Sequence, residues 1–136
     1  MEFDTKVAIV VAEDLENWQK LNVVSFLSTG IAGQFPEIIG EVYVDKSEQE
    51  YWSLSIQPAM ILKAPREKLQ TILQRTKSRE IGAALYIEDM FETGHDAANR
   101  ETVRNYATDN LPVVGIGIRA DKKIVDKVLK GARLHE

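Results

Sequence analysis

Residues 6–11, Lys-Val-Ala-Ile-Val-Val, form a continuous apolar run that is rich in β-branched side chains. Such a run is typical of a strand that is covered on both faces. Further strands are predicted at residues 59–63, 82–88 and 111–118, and segments with helical spacing of apolar residues separate them. This alternation predicts an α/β fold for residues 1–136, a single three-layer α/β/α domain with a mixed, mainly parallel central sheet.

Helices are predicted at residues 18–35, from Pro65 onward, at 96–108 and at 122–130, where apolar residues recur three and four positions apart. The predicted buried stripe of the first helix consists of Trp18, Leu21, Val24, Leu27 and Ile31. In the last strand, Gly115 and Gly117 alternate and leave one face without side chains, which predicts a close approach of another element to that face.

Residues 37–55 give the weakest pattern. A short hairpin of residues 42–44 with 51–55 is predicted at a sheet edge, on either side of the polar stretch 45–50. The aromatic residues within 43–52 would then be exposed beside a free strand edge. That arrangement predicts a homodimer.

The composition excludes several classes of function. The 136 residues contain no cysteine, which rules out disulfides, thiolate metal ligands and a cysteine nucleophile, and two histidines are too few to suggest a metal site. The net charge is −4, so an extended nucleic-acid surface is disfavoured, and the basic stretches 63–77 and 122–133 are interpreted as solvated helix faces. No apolar run suits a signal peptide or a membrane span, so we expect a cytoplasmic protein without membrane contact.

The richest chemistry lies in residues 89–99, between a predicted strand and a predicted helix. Strand ends that lead into helices are common ligand sites in α/β proteins, because free backbone N–H groups converge there. Asp89, Thr93 and His95 are the candidate catalytic residues: the carboxylate orients a hydroxyl or water, and the imidazole carries a proton. The structural alternatives are a turn-stabilising Asp89 and a solvent-exposed His95, with Asp96 as the helix N-cap.

Further ligand-binding candidates are expected on the same rim. They are Trp18, Lys20 and Asn22 at the start of the first helix, Gln57 before Pro58, and Gly94 and Asn99 in the polar segment. For Trp18, core packing is the favoured interpretation and a stacking surface for a ligand is the alternative. The chain has no glycine-rich phosphate loop of the nucleotide-binding types, so no cofactor is expected.

Several motifs together resemble peptidyl-tRNA hydrolase II in the same order. They are Gln57-Pro58, Lys63-Ala64-Pro65, Ile87-Glu88-Asp89 with Thr93, Val114-Gly115-Ile116-Gly117 and Val125-Asp126-Lys127-Val128. Residues 18–23, 91–99 and 126–131 look more closely like an uncharacterised bacterial family of that superfamily, a domain of unknown function. The resemblance covers nearly the whole chain and implies a three-layer α/β/α domain.

The resemblance also implies an active site made of a lysine and a histidine in the first helix with an aspartate and a threonine after a later strand. Asp89 and Thr93 match the second pair, whereas Asn22 and Thr29 stand where the lysine and histidine belong. The expected function is therefore a small-molecule-binding protein or a hydrolase. A non-catalytic binding or regulatory module is the alternative, and peptidyl-tRNA hydrolysis ranks last.

Overall fold

A computed structural model describes residues 2–136. Seven strands are present: β1 (Thr5–Ala12), β2 (Tyr43–Val44), β3 (Glu50–Tyr51), β4 (Ala59–Ala64), β5 (Ala84–Ile87), β6 (Val113–Asp121) and β7 (Arg133–Leu134). The helices are α1 (Asn17–Gln34), α2 (Arg66–Ser78), α3 (Asp96–Arg104) and α4 (Lys122–Val128). Short 3-10 turns lie at Pro36–Ile38, Glu88–Glu92 and Thr108–Asn110.

The central sheet has five strands in the order β5-β6-β1-β4-β7. Only β1 and β4 run parallel, while β6 pairs antiparallel with both β1 and β5, and β7 pairs antiparallel with β4. The sheet is mixed as predicted, but the expectation that it is mainly parallel is wrong. Burial of a strand on both faces requires helices on both sides of the sheet, and it carries no information on strand direction.

Helix α1 packs on the glycine-bearing face of β6. A Cβ atom on Gly115 would lie 2.4 Å from Cγ1 of Val23, and one on Gly117 would lie 3.0 Å from Cδ1 of Ile31. The predicted close approach at these glycines is therefore confirmed. It brings the helix backbone nearer to the sheet than any side chain on β6 would allow.

The buried stripe of α1 differs from the prediction. It consists of Val23, Leu27 and Ile31, whereas Trp18 and Leu21 are 58% and 72% exposed. Trp18 contacts the ring of Phe91 in the turn after β5 and not the sheet, and Leu21 faces solvent. Apolar spacing alone could not distinguish this contact from core packing.

Helices α2 and α4 pack against each other and against β1 and β6. The inner strands are buried along most of their length, from Val7 to Ala12 in β1 and from Val113 to Ile118 in β6. The remaining predicted elements are present with shifted ends. Helix α3 stops at Arg104 and α4 at Val128, both earlier than their patterns suggest, while β5 is two residues shorter than expected at its start.

The predicted hairpin exists, but it does not lie on an edge of the main sheet. Strands β2 and β3 form a separate two-stranded sheet, with Tyr43 opposite Tyr51 and Val44 opposite Glu50. Within residues 2–136, no helix combines the length and the apolar character needed to cross a membrane.

Candidate functional site

A cavity of about 210 Å³ lies between the start of α1, the end of β5 and the segment leading into α3. Residues from all three parts of the chain line it: Trp18, Asn22, Phe26, Tyr86, Met90, Phe91, Thr93, Gly94, His95, Asp96 and Asn99. The N-terminal helix and residues 93–99 therefore share one concave surface. This volume is below the roughly 300–1,000 Å³ of drug-sized sites and suits a single ring. A second concavity of about 480 Å³ adjoins it and shares Tyr86, Met90 and Asn99 with it.

Four aromatic rings form the apolar wall of the cavity. The ring of Phe91 lies edge-on to Trp18, with centroids 5.9 Å apart, and is tilted against Tyr86 at 5.1 Å. Tyr86 in turn packs against Phe26 at 5.6 Å. Tilted and edge-to-face pairs at these distances are favourable, so the rings hold one another in place.

Thr93 and Asn99 form the polar side. The Thr93 hydroxyl contacts the Met90 carbonyl oxygen at 3.1 Å and also the amide oxygen of Asn99. With its oxygen engaged, Asn99 keeps its amide NH₂ group free of partners among residues 2–136. The arrangement turns Asn99 into a hydrogen-bond donor at the cavity.

His95 is the N-cap of α3. Its Nδ1 atom accepts a hydrogen bond from the backbone N–H of Ala98 at 3.2 Å. The expectation that Asp96 is the cap is wrong, since Asp96 begins the helix and pairs with Arg100 instead. Because Nδ1 accepts, the proton of the neutral ring resides on Nε2. In this state Nε2 is a donor, so the ring is not poised to act as a base toward the cavity.

Asp89 does not line the cavity. Its carboxylate oxygens accept a hydrogen bond from the Tyr106 hydroxyl, at 2.9 and 3.1 Å, and that bond raises the pKa of Tyr106 above its usual 10.0. Among the described residues, no hydrogen bond joins Asp89 to Thr93 or His95. The three candidate catalytic residues are close in sequence, but each is engaged by a different structural partner.

Two predicted ligand-binding residues lie elsewhere. The Lys20 ammonium group is 3.1 Å from Nε2 of His135, near the chain end, and Lys20 is not among the residues that line the cavity. Gln57 is buried at the amino end of β4, where its amide bonds the Thr5 carbonyl and Arg119. Since β1 and β4 run parallel, Gln57 lies at the opposite end of the sheet from the start of α1. We expected Gln57 on the same rim as the start of α1. That expectation is wrong, because Gln57 precedes β4 and therefore lies at the end of the sheet where β1 and β4 begin.

Tyr86 adds a polar group that sequence reasoning missed. Its residue is 4% exposed, burial raises the pKa of its hydroxyl, and that hydroxyl makes no hydrogen bond within residues 2–136. Phe26, Met90 and Phe91 were missed as well, because apolar residues in a strand or helix pattern are indistinguishable from core residues in sequence. No group of three metal-ligating side chains occurs in the part of the chain that the structure describes.

The fold and the cavity define an α/β protein with a five-stranded mixed sheet and a small aromatic-walled cavity. Residues 5–136 match the family described as protein of unknown function DUF2000, and the chain belongs to that family. A solved structure of a protein of unknown function from Agrobacterium tumefaciens strain C58 is similar, with 51% sequence identity and a TM-score of 0.97. The match covers 99% of this chain and 100% of that chain.

A search of curated protein sequences finds no match. The family assignment confirms the expectation of an uncharacterised family. Neither of the two matches relates the chain to peptidyl-tRNA hydrolase II.

Proposed function

We propose that this protein binds a small planar ligand in the aromatic-walled cavity and does not transform it. The observation that carries the proposal is the pairing of an apolar wall with unengaged donors in one cavity. Trp18, Tyr86 and Phe91 offer ring surfaces to a planar molecule. Apolar pockets with a few converging polar groups are the usual form of small-molecule sites.

The polar groups of the cavity favour a ligand with a neutral hydrogen-bond acceptor. Asn99 offers its amide NH₂, His95 offers its Nε2–H, and Tyr86 offers a protonated hydroxyl whose pKa burial raises above its usual 10.0. Neither a lysine nor an arginine of the described chain lines the cavity, so an anion would lose water there without gaining a cationic partner. A ring carrying an amide carbonyl or a similar neutral acceptor meets both conditions.

Binding without catalysis is favoured because the reactive groups are engaged. The Thr93 hydroxyl bonds Asn99, the Asp89 carboxylate bonds Tyr106, and the lone pair on Nδ1 of His95 caps α3. A general base must be within hydrogen-bond reach of the proton that it removes. In a hydrolase, including one that acts on peptidyl-tRNA, His95 would have to release the Ala98 N–H and Asp89 would have to release the Tyr106 hydroxyl before either side chain could act as a base.

The test uses benzamide as the probe and Trp18 as the reporter. The chain has two tryptophans, so Trp52→Phe leaves Trp18 as the sole indole fluorophore. We expect benzamide to quench or shift its emission in a saturable manner, with benzoate binding more weakly because its charge would be desolvated without a cationic partner. Toluene, which has no acceptor, should also bind more weakly than benzamide.

Asn99→Asp tests the donor, because it keeps an oxygen for the Thr93 hydroxyl and replaces the NH₂ group with a second oxygen. We expect the dissociation constant for benzamide to rise roughly tenfold, since an unmatched polar pair costs on the order of 1–3 kcal/mol. Asn105→Asp makes the same charge change at the exposed end of α3, outside the cavity, and should leave binding intact. Equal effects of the two variants, or no saturable change in emission, would contradict the proposal.

A further inference from the structure

The concavity of about 480 Å³ that adjoins the aromatic-walled cavity lies between α1, β5 and α3. The two hollows share lining residues from all three elements and from the turn after β5: Phe26, Tyr86, Met90, Asp96 and Asn99. They therefore meet along α3, and Asn99 lies at their boundary. A ligand bound in the first cavity has room to extend into the second concavity.

The second concavity has the size and the walls of a ligand site. Its volume falls within the roughly 300–1,000 Å³ of sites for drug-sized molecules, whereas that of the first cavity does not. Much of its lining is apolar, with Leu27 from α1, Leu85 from β5 and Val103 from α3. These side chains suit an aliphatic linker, because methylene groups gain from leaving water and need no hydrogen-bond partner.

The two hollows differ in charge. The first has no cationic side chain among its described lining residues, but Arg100 and Arg104 both line the second. Arg100 forms an ion pair with Asp96, so these two charges offset each other. Arg104 has no hydrogen bond or ion pair from its side chain to any of residues 2–136. One positive charge in the second concavity is thus without a counterion from the described chain.

Helix α3 places this charge a short distance from the donor at the boundary. Arg104 follows Asn99 by five residues, which corresponds to a rise of roughly 7.5 Å along the helix axis. Every Cα–Cβ bond in a helix tilts toward the helix N-terminus, so the side chain of Arg104 leaves the helix in the direction of Asn99. A neutral donor and a cation therefore follow each other along one side of α3.

The second concavity is narrow at its far end. A Cβ atom on Gly30 would lie 3.2 Å from Cβ of Ala84, so the backbone of α1 comes close to β5 at this point. The same two residues form the border with a third concavity of about 540 Å³ toward the end of α1. A ligand that begins in the aromatic-walled cavity is therefore expected to end in the second concavity.

We propose that the ligand is an aromatic amide that carries a carboxylate on a short aliphatic linker. Its ring occupies the aromatic-walled cavity, its carbonyl accepts from Asn99, and its carboxylate pairs with Arg104. This inference rests on the proposed function and names the class of its ligand. The planar guanidinium group matches the geometry of a carboxylate, and one uncompensated cation matches one negative charge.

The test compares N-benzoyl-β-alanine with its neutral amide, N-benzoyl-β-alaninamide, which has the same length. Emission of Trp18 in the Trp52→Phe protein reports binding of both. We expect the acid to bind at least roughly threefold more tightly than the amide, with an advantage that shrinks as the salt concentration rises. Benzoate should stay weak, because its carboxylate lies in the first cavity, away from Arg104.

Arg104→Gln removes the cation and keeps a polar side chain. We expect the affinity for the acid to fall to that for the amide, while benzamide binds as before. Arg79→Gln is the matched control, because Arg79 is an exposed arginine at the end of α2 that lines neither hollow. It removes the same charge from the molecule and should keep the advantage of the acid. Both arginines are exposed, so thermal melts should show that both variants fold.

A reversal of charge distinguishes contact with the ligand from a structural role of Arg104. Arg104→Glu should bind N-aminoethyl-benzamide, whose tail ends in an ammonium group, more tightly than the protein with Arg104 does. The same variant should bind N-benzoyl-β-alanine more weakly than its amide. Loss of a merely structural contact would weaken both probes alike.

The outcomes separate this inference from the proposed function. If benzamide binds but the acid has no advantage over its amide, the inference is wrong and the proposed function stands. Equal losses in Arg104→Gln and Arg79→Gln, or an ammonium probe that gains nothing from Arg104→Glu, would also overturn the inference. A protein that binds neither benzamide nor the acid would overturn both proposals.

Discussion

The Tyr106 hydroxyl donates a hydrogen bond to the Asp89 carboxylate, with its oxygen 2.9 and 3.1 Å from the two carboxylate oxygens. This bond joins the turn after β5 to the residues after α3, and it therefore closes the segment that forms the polar side of the cavity. Asp89 has a structural role in this arrangement. The match of Asp89 to a catalytic aspartate rests on sequence alone and carries no information on this bond to Tyr106.

The bond makes stability depend on pH in the alkaline range. Its effect is to raise the pKa of Tyr106 above 10.0, so its contribution is complete below pH 10.0 and is lost as the pH rises through the raised value. Tyr106→Phe should melt at a lower temperature than the wild type near neutral pH, and the gap should narrow above pH 10.0. Thermal melts across that range measure it. Tyr43→Phe, at a tyrosine whose hydroxyl makes no hydrogen bond within residues 2–136, should show no such convergence.

Removal of the His95 cap at the start of α3 should lower the stability of the folded chain. His95→Ala deletes the acceptor for the Ala98 N–H and should lower the free energy of unfolding by about 1 kcal/mol. His95→Asn provides a capping oxygen in its place and should restore most of the loss. Urea unfolding of the three proteins decides the matter. A loss in the asparagine variant as large as in the alanine variant would mean that the cap is not what His95 contributes.

The close approach of α1 to β6 gives a packing prediction. Gly115→Ala places a Cβ atom 2.4 Å from Cγ1 of Val23 and should cost about 1–3 kcal/mol of stability. Gly82→Ala is the matched control, because a Cβ atom there meets nothing within 4 Å. Combining Gly115→Ala with Val23→Ala should cost less than the two single changes together. Additive costs would contradict the steric explanation.

Gln57 should matter for stability and not for ligand binding. Gln57→Ala removes the partner of the Arg119 Nε–H and of the Thr5 carbonyl, and unpaired polar groups at this buried position cost about 1–3 kcal/mol. Gln34→Ala, at the exposed end of α1, should cost little by comparison. The measurements are urea unfolding and benzamide titration. Weaker benzamide binding in a folded Gln57→Ala protein would contradict the separation between Gln57 and the cavity.

Most elements of the fold could be predicted from the sequence because burial leaves a periodic pattern. The run at residues 6–11 and the alternating glycines of β6 identified a doubly covered sheet and the site of close helix packing. Strand direction could not be predicted in this way, because side-chain burial is the same in parallel and antiparallel pairs. The position of the predicted hairpin was also wrong, because the pattern of residues 42–44 and 51–55 predicts that two strands pair but not whether the pair joins the main sheet.

The candidate site was predicted in part for a similar reason. The start of α1 follows β1, and residues 93–99 follow β5. Because β1 and β5 run in the same direction, both segments lie at one edge of the sheet, and Trp18, Asn22 and Asn99 line the cavity there. The hydrogen-bond partners of Asp89 and His95 could not be predicted, because each depends on a backbone turn or a residue whose position only the folded chain defines. Tyr86 was missed because a tyrosine in a buried strand has the sequence signature of a core residue.

Helix α1 begins at Asn17 beside the cavity and ends after 18 residues at Gln34, where the chain turns toward the hairpin of β2 and β3. At about 1.5 Å per residue the helix holds these two surfaces roughly 27 Å apart. No single-ring molecule spans that distance, so occupation of one end leaves the other sterically open.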